Sequence, residues 1–133
     1  MIRVLVADDS NGWRNYHKKM LSEISSEFDI TICDWARDAY EKVFENLDNP
    51  FDLIITDLQM ESDFEPDYAG EWLIQRVREL NSYRNVPILI ISATYNINFI
   101  ADKFGVDCLP KSTAVNSLLS YKHKIEEILK REF

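Results

Sequence analysis

IRVLVADD, at residues 2–9, is a nearly continuous apolar run that stops at two aspartates. A run of this kind is typical of a β-strand that is covered on both faces, as in a parallel sheet. The pattern recurs three times further along the chain, in FDLIITD (51–57), VPILIIS (86–92) and VDCLPK (106–111). If these runs are parallel strands of one sheet, their polar ends gather at its carboxyl edge, and these ends are Asp8 and Asp9, Asp57, Ser92 and Lys111. Carboxylates have no reason to collect at one point unless a cation is bound there.

Strand candidates alternate with amphipathic segments along the whole chain. The candidates are Ile2–Ala7, Asp29–Asp34, Leu53–Asp57, Pro87–Ser92 and Val106–Leu109. Strict β-α alternation requires right-handed crossovers, which place helices on both faces of a parallel sheet. We therefore predict an α/β fold with a five-stranded parallel sheet in the order 2-1-3-4-5 and helices on both faces, a flavodoxin-like (βα)5 arrangement. In such a sheet ligands bind outside the carboxyl ends of the strands, where the chain order reverses.

The amphipathic segments repeat their apolar residues at a period near 3.6, which indicates one buried face per helix. In the second segment this face carries Ala36, Ala39, Tyr40, Val43, Phe44 and Leu47. In the fifth it carries Val115, Leu118, Ile125, Ile128 and Leu129, and we expect a single helix there. His17 and His123 lie on helical segments without a ligand partner at i+4, and we expect neither to lie near the carboxyl edge.

The composition is that of an ordinary globular chain. Its 133 residues are 46% hydrophobic and 29% charged, which suits one domain over residues 1–133. The formal charge of −8 argues against a nucleic-acid binder, and no apolar run approaches the roughly 18 residues that span a membrane. The first strand begins at Ile2 and leaves no room for a signal peptide, so we expect a cytoplasmic protein. The chain stops soon after the fifth helix, so we expect no output domain.

The two cysteines, Cys33 and Cys108, fall in predicted strands two and five. In the predicted order these strands lie at opposite edges of the sheet, about four spacings of ~4.8 Å apart. A disulfide needs Cα atoms within about 7 Å of each other, so we expect two free thiols.

Four motifs in this order resemble the receiver domain of two-component response regulators over nearly the whole chain. They are VLVADDS (4–10), DLIITDLQM (52–60), ILIISAT (88–94) and FGVDCLPK (104–111). The resemblance implies a stand-alone signalling module that accepts a phosphoryl group on Asp57 from a histidine kinase or a histidine phosphotransfer protein. Phosphorylation would then change its affinity for a downstream protein. Its only catalysis would be its own phosphorylation and dephosphorylation, rather than turnover of a metabolite.

The residues themselves suit that chemistry. Asp57 would be the nucleophile that becomes an acyl phosphate. An anionic carboxylate is repelled by an anionic phosphoryl group, so a divalent cation, Mg²⁺ or Mn²⁺, must neutralise the approach. The resemblance implies that Asp9 binds this metal directly and Asp8 through water, while Asp57 and the backbone carbonyl of Gln59 complete the protein ligands. It also implies that two side chains contact phosphoryl oxygens, one as a point charge and one as a hydrogen-bond donor, namely Lys111 and Ser92.

The loop after Asp57 departs from the receiver pattern. Glu61 stands where proline is usual, and Gly70 arrives about five residues late, as judged against the family pattern. The extra acidic segment, Glu61 to Tyr68, is an insertion beside the expected site. It could act as a lid, repel anionic donors or form a partner surface, and the alternative is a tolerated surface loop.

Two further departures concern the switch that relays phosphorylation. Receivers usually carry Tyr or Phe three residues before the lysine, and here that residue is Cys108, whose thiol is too small to sweep between exposed and buried positions. Tyr95 or Phe99 could substitute for the missing aromatic ring. Ser112 follows the lysine in place of a proline with a cis bond, so we expect either a tolerated cis bond or a trans bond with a different approach of Lys111. These changes keep open a second hypothesis, a phosphorylation-independent interaction module with a degenerate switch.

An enzymatic alternative is a Mg²⁺ phosphohydrolase or a flavin-binding flavodoxin-like protein. Hydrolases with an aspartate nucleophile place it after the first strand with a second aspartate two residues on, whereas the doublet here is adjacent. A flavin site needs a loop rich in Ser, Thr and Gly after the first strand. The two acidic groups of DDSNGWRN (8–15) would repel a flavin phosphate, so both enzymatic classes are disfavoured.

Overall fold

The computed structural model describes residues 1–60 and 69–132. The strands are β1 (Ile2–Ala7), β2 (Phe28–Cys33), β3 (Leu53–Thr56), β4 (Ile88–Ser92) and β5 (Asp107–Pro110). They form one sheet in the order β2-β1-β3-β4-β5, and each pair of neighbours is parallel. The predicted fold class and strand order are confirmed, and no predicted strand end differs from the observed one by more than one residue.

The helices of the described residues lie on the two faces of this sheet. They are α1 (Asn11–Ile24), α2 (Ala36–Glu45), α3 (Ala69–Arg78), α4 (Ile97–Phe104), α5 (Lys111–Asn116) and α6 (Leu118–Glu132). A short 3-10 turn at Asn81–Tyr83 follows α3. Gly105 ends α4 in the left-handed conformation (φ 64°), which glycine adopts without steric cost.

Successive residues of each strand pack on opposite faces of the sheet, so that the sheet is buried on both sides. Leu5 and Ala7 of β1 belong to a core with α2, α3 and α4, whereas Val4 and Val6 belong to a core with α1, α5 and α6. This double burial explains the nearly continuous apolar runs of the sequence. Phe44 is 57% exposed instead of buried, because the face of α2 that packs inward is formed by the smaller residues Ala36, Ala39 and Val43.

The last amphipathic segment is two helices, α5 and α6, and the prediction of a single helix is wrong. Ser117 separates them with φ −141° and ψ 101°. Its N–H donates to the Thr113 carbonyl (3.0 Å) and closes α5, while its hydroxyl accepts the Ser120 N–H (3.2 Å) at the start of α6. The break turns the helix faces, so that Val115 and Leu118 are 53% and 55% exposed.

The thiols of Cys33 and Cys108 are both free, as predicted. Among the helices in the described part of the chain, none combines the length and the apolar character that crossing a bilayer requires.

Candidate functional site

The register of the sheet places the ends of β1 and β3 side by side. Ala7 pairs with Thr56, and the Asp57 N–H donates to the Ala7 carbonyl at 2.9 Å. The residues that follow carry carboxylates, and oxygen atoms of Asp8, Asp9 and Asp57 all lie within 4.8 Å of one another. Asp8 is completely buried, Asp57 is 5% exposed, and Asp9 is open to solvent. We call these three residues the acid cluster. Asp8 and Asp57 are its buried pair of carboxylates, and Asp9 is its solvent-exposed carboxylate.

Lys111 supplies a positive charge to the acid cluster from the end of β5, an edge strand of the sheet. It is the first residue of α5, directly after β5, and its side chain is only 13% exposed. Its Nζ donates a hydrogen bond to Asp57 Oδ2 at 2.6 Å and lies 3.1 Å from Asp8 Oδ2. Burial by itself would lower the pKa of Lys111, but the hydrogen bond to Asp57 and the charges of Asp57 and Asp8 outweigh it and raise the pKa. Lys111 is therefore a charged group throughout the physiological range.

Asp8 has one carboxylate oxygen that is buried without a hydrogen bond. Its Oδ1 accepts the Ser10 N–H at 2.9 Å, but its buried Oδ2 accepts no hydrogen bond, despite the ammonium 3.1 Å away. Burial raises the pKa of Asp8, the Ser10 N–H opposes this, and the charge of Asp57 raises the pKa further. Three carboxylates against one ammonium leave two excess negative charges. A divalent cation would offset that excess and would give Asp8 Oδ2 a ligand bond in addition to its ion pair with Lys111, so these residues fit a hard, oxygen-seeking cation.

Asp57 is held from behind by its own loop. Its Oδ1 accepts the N–H groups of Leu58 (2.6 Å) and Gln59 (3.2 Å), while Oδ2 points to Lys111. Gly70, the second residue of α3, donates its N–H to the Leu58 carbonyl at 3.0 Å. A Cβ at position 70 would lie 2.3 Å from the Asp57 carbonyl oxygen, so only glycine fits there. The insertion Glu61 to Tyr68, which joins this loop to α3, lies outside the described residues.

The remaining predicted site residues lie around this centre. Ser92 is fully buried at the end of β4, the strand next to β3, and its Oγ accepts the Thr94 N–H at 3.4 Å. Ser92 and Lys111 line the same cavity of about 310 Å³. Gln59 is exposed beside Asp57, where its N–H donates to the Asp57 carboxylate.

Trp13 of α1 lies beside Lys111, and His17 packs against Trp13. The Trp13 ring centre is 5.0 Å from Lys111 Nζ. His17 lies one turn further along α1 and is buried, with Nδ1 2.8 Å from the Tyr121 hydroxyl. Burial, and after it the charge of Lys111, lower the pKa of His17 to about 4, although the charge of Asp57 opposes them. The His17 and Trp13 ring centres are 5.7 Å apart, as the spacing of four residues on one helix face allows, and the expectation that His17 lies away from the carboxyl edge stays a prediction.

The switch positions differ from the family pattern in structure as well as in sequence. Cys108 Sγ donates to Asn98 Oδ1 at 3.2 Å, which links β5 to α4. No cis peptide bond occurs in the described residues, so Ser112 follows Lys111 through a trans bond inside α5. Tyr95 and Phe99, the two rings that could substitute for the missing switch aromatic, are 96% and 72% exposed.

Comparisons with known proteins agree with this geometry. The family model of the response regulator receiver domain matches residues 4–121. The chain is 32% identical over 91 residues to chemotaxis protein CheY1 of Helicobacter pylori, covering 68% of this chain and 67% of that protein. It is 27% identical over 132 residues to the 3',5'-cyclic-nucleotide phosphodiesterase regA of Dictyostelium discoideum, covering 96% of this chain but 15% of that much longer protein.

Solved structures with the same fold include several receiver domains. A response regulator receiver domain protein from Clostridium thermocellum superimposes with a TM-score of 0.79 at 17% identity, covering 99% of this chain and 97% of that one. The receiver domain of the Francisella response regulator 1452 superimposes with a TM-score of 0.76 at 24% identity over the full length of both chains. At these sequence identities the structures show a shared fold, and the match of the family model over residues 4–121 shows the family. The chain belongs to the response regulator receiver domain family of two-component signalling.

Proposed function

We propose that this protein is a phosphorylation-switched receiver that accepts a phosphoryl group on Asp57. The observation that carries the proposal is the acid cluster with its lysine: three carboxylates within 4.8 Å of one another, and Lys111 Nζ 2.6 Å from Asp57 Oδ2. The donor would be a phosphohistidine of a histidine kinase or of a phosphotransfer protein. The new bond joins an Asp57 carboxylate oxygen to phosphorus, and the phosphorus–nitrogen bond breaks with its electron pair left on the imidazole of the donor.

Mg²⁺ or Mn²⁺ is the cation that this site would hold, with Asp8, Asp9, Asp57 and the Gln59 carbonyl as its protein ligands. The buried Asp8 Oδ2, which accepts no hydrogen bond, and the two excess negative charges support this assignment. When bound, the metal would neutralise the charge that builds up as two anionic groups approach each other.

The chain's own residues position the acceptor and receive the transferred group. The N–H groups of Leu58 and Gln59 hold Oδ1 and so fix the carboxylate plane. Lys111 would pass from Asp57 Oδ2 to an oxygen of the phosphoryl group, which carries the charge that the carboxylate loses. Ser92 would turn its hydroxyl from the Thr94 N–H to a second phosphoryl oxygen. The catalysis is positioning and charge stabilisation by preorganised groups.

The decisive test is incubation of the protein with acetyl phosphate and Mg²⁺, followed by mass spectrometry of the intact chain. We expect a single added phosphoryl group in the wild type and none in Asp57→Ala. Asp34→Asn is the matched control, because Asp34 is an exposed aspartate at the end of β2, outside the acid cluster. Equal labelling of wild type and Asp57→Ala, or no labelling of a folded wild-type protein that binds Mg²⁺, would contradict the proposal.

A second candidate function, a phosphorylation-independent interaction module, is favoured by Cys108. The thiol occupies the place of the usual switch aromatic and is engaged with Asn98. In that case beryllium fluoride and Mg²⁺ would bind to Asp57, but the backbone amide signals of β4, β5 and α4 would stay unchanged in NMR spectra. Shifts along these elements on beryllium fluoride binding would instead support the phosphorylation switch.

A further inference from the structure

We propose that Trp13 is a positioning residue that holds the ammonium of Lys111 at the acid cluster while its anionic partners change. The inference rests on the proposed function and extends it to a side chain outside the family's motifs. The Trp13 ring centre lies 5.0 Å from Lys111 Nζ, within the range of an attractive cation–π contact. Lys111 is only 13% exposed and Trp13 is half-buried, so water screens the contact only partly.

The need for such a support follows from the other partners of Lys111. Its ammonium contacts Asp57 Oδ2 at 2.6 Å and Asp8 Oδ2 at 3.1 Å, and both oxygens belong to the acid cluster. A cation in the cluster competes with the ammonium for these oxygens, and phosphorylation removes the negative charge from the Asp57 carboxylate itself. The uncharged face of Trp13 is the contact that neither event alters. It therefore keeps the ammonium in place for an oxygen of the incoming phosphoryl group.

The indole ring is itself held in a fixed orientation by packing from behind. Tyr16 meets it edge-on, with ring centres 5.3 Å apart, and His17 lies at 5.7 Å. These two residues are anchored in turn: the Tyr16 hydroxyl donates to the Ala114 carbonyl of α5 (2.8 Å), and His17 Nδ1 meets the Tyr121 hydroxyl of α6 (2.8 Å). A ring tied to two other helices is preorganised, so little entropy is lost when it holds the lysine.

The N-terminus of α1 ties the same ring to the acid cluster. The Ser10 backbone N–H donates to Asp8 Oδ1 at 2.9 Å, and the Ser10 hydroxyl accepts the Trp13 backbone N–H at 3.2 Å. Arg14, the next residue, donates from Nη1 to the Asp8 carbonyl at 3.0 Å. The height of the indole over Lys111 is therefore set by the segment that places Asp8.

A double-mutant cycle of Trp13→Leu and Lys111→Met tests the inference. The measurement is the Kd of beryllium fluoride in the presence of Mg²⁺, by titration calorimetry. We expect Trp13→Leu to weaken binding about three- to tenfold when Lys111 is present, Trp13→Phe to retain most of the affinity, and Trp13→Leu to have no further effect in the Lys111→Met protein. An equal loss in both backgrounds, or no loss in either, would overturn the proposal, because a merely structural role would not depend on the lysine.

A second readout in metal-free protein separates this inference from the proposed function. The indole ring current should place the ε-methylene protons of Lys111 upfield in the wild type, and Trp13→Leu should move them towards their usual position in NMR spectra. If the wild type bound no beryllium fluoride, the proposed function would fail and these shifts alone would decide the role of Trp13. Unchanged ε-proton shifts in a folded Trp13→Leu protein would end the inference whatever the result with beryllium fluoride.

Discussion

Gly70→Ala is the substitution whose effect the structure defines most sharply. The new Cβ would lie 2.3 Å from the Asp57 carbonyl oxygen and 2.6 Å from the Leu58 Cα, whereas real Cβ atoms essentially never come within 3.0 Å of such atoms. Both neighbours are backbone, so the segment Asp57–Leu58 or α3 must move by about 0.7 Å, the difference between 2.3 and 3.0 Å. Overpacking of this kind costs about 1–3 kcal/mol of unfolding free energy. At a urea dependence of about 2 kcal/mol per molar, the unfolding midpoint should fall by roughly 0.5–1.5 M.

The same shift should also slow phosphorylation of Asp57. A displacement near 1 Å can cost up to about a hundredfold in rate when reacting groups are positioned by the fold. We expect Gly70→Ala to label with acetyl phosphate about tenfold more slowly than the wild type, at a temperature where both proteins are folded.

Gly12→Ala is the matched control for this experiment. Gly12 is the second residue of α1, as Gly70 is the second residue of α3, but the nearest atom to its added Cβ is the Ser10 hydroxyl at 3.8 Å. Alanine has the higher helix propensity, so Gly12→Ala should raise the unfolding free energy by up to about 1 kcal/mol. If both variants shifted the urea midpoint in the same direction by the same amount, the reasoning from close backbone contact at Gly70 would be refuted.

Three further outcomes can be measured. Because burial raises the pKa of Asp8 above 3.8, the folded metal-free protein binds more protons at Asp8 than the unfolded chain does, and its stability falls as pH rises from 3.8 through the raised pKa. The substitution Asp8→Asn should therefore raise Tm at pH 7 in the presence of a chelator. Added Mg²⁺ should raise Tm for the wild type only. The imidazole of His17, with a pKa of about 4, should show no NMR titration between pH 5 and 8, and its share of stability should decline as pH falls from 6.5 towards 4; a midpoint above pH 6 would contradict its burial. Tyr121→Phe should lower the unfolding free energy by about 1–3 kcal/mol, because it leaves a buried ring nitrogen of His17 without its partner at 2.8 Å, and an unchanged urea midpoint would show that this bond adds nothing.

The amino-acid sequence by itself determined the layered architecture. Apolar runs such as Ile2–Ala7 have the composition of strands buried on both faces, and the helical segments between them repeat their apolar residues every 3.6 positions. These patterns are local, so they can be recognised in the sequence without knowing which segments pack together. Right-handed crossovers then limit how the strands can be ordered, which is why the order of the sheet was predictable.

The composition of the candidate site followed from the same logic. Parallel strands end at one edge, so polar residues at strand ends must lie near one another wherever the sheet forms. Asp8, Asp57 and Lys111 are together for this reason, and the loop insertion after Asp57 did not disturb that. Gly70 packs against the backbone of Asp57 and Leu58 from the start of α3, although it lies further from Asp57 in the sequence than the receiver pattern predicts.

Only the tertiary structure decided which other side chains meet at the site. The contacts of Trp13 with Lys111, of Tyr16 with Ala114 and of His17 with Tyr121 join residues about a hundred positions apart. Such contacts depend on the orientation of α1 relative to α5 and α6. That orientation is set by packing and by the break at Ser117, a serine that both ends α5 and caps α6. The buried Asp8 Oδ2 that accepts no hydrogen bond has the same origin, because burial and partners are properties of the folded environment and not of any one stretch of chain.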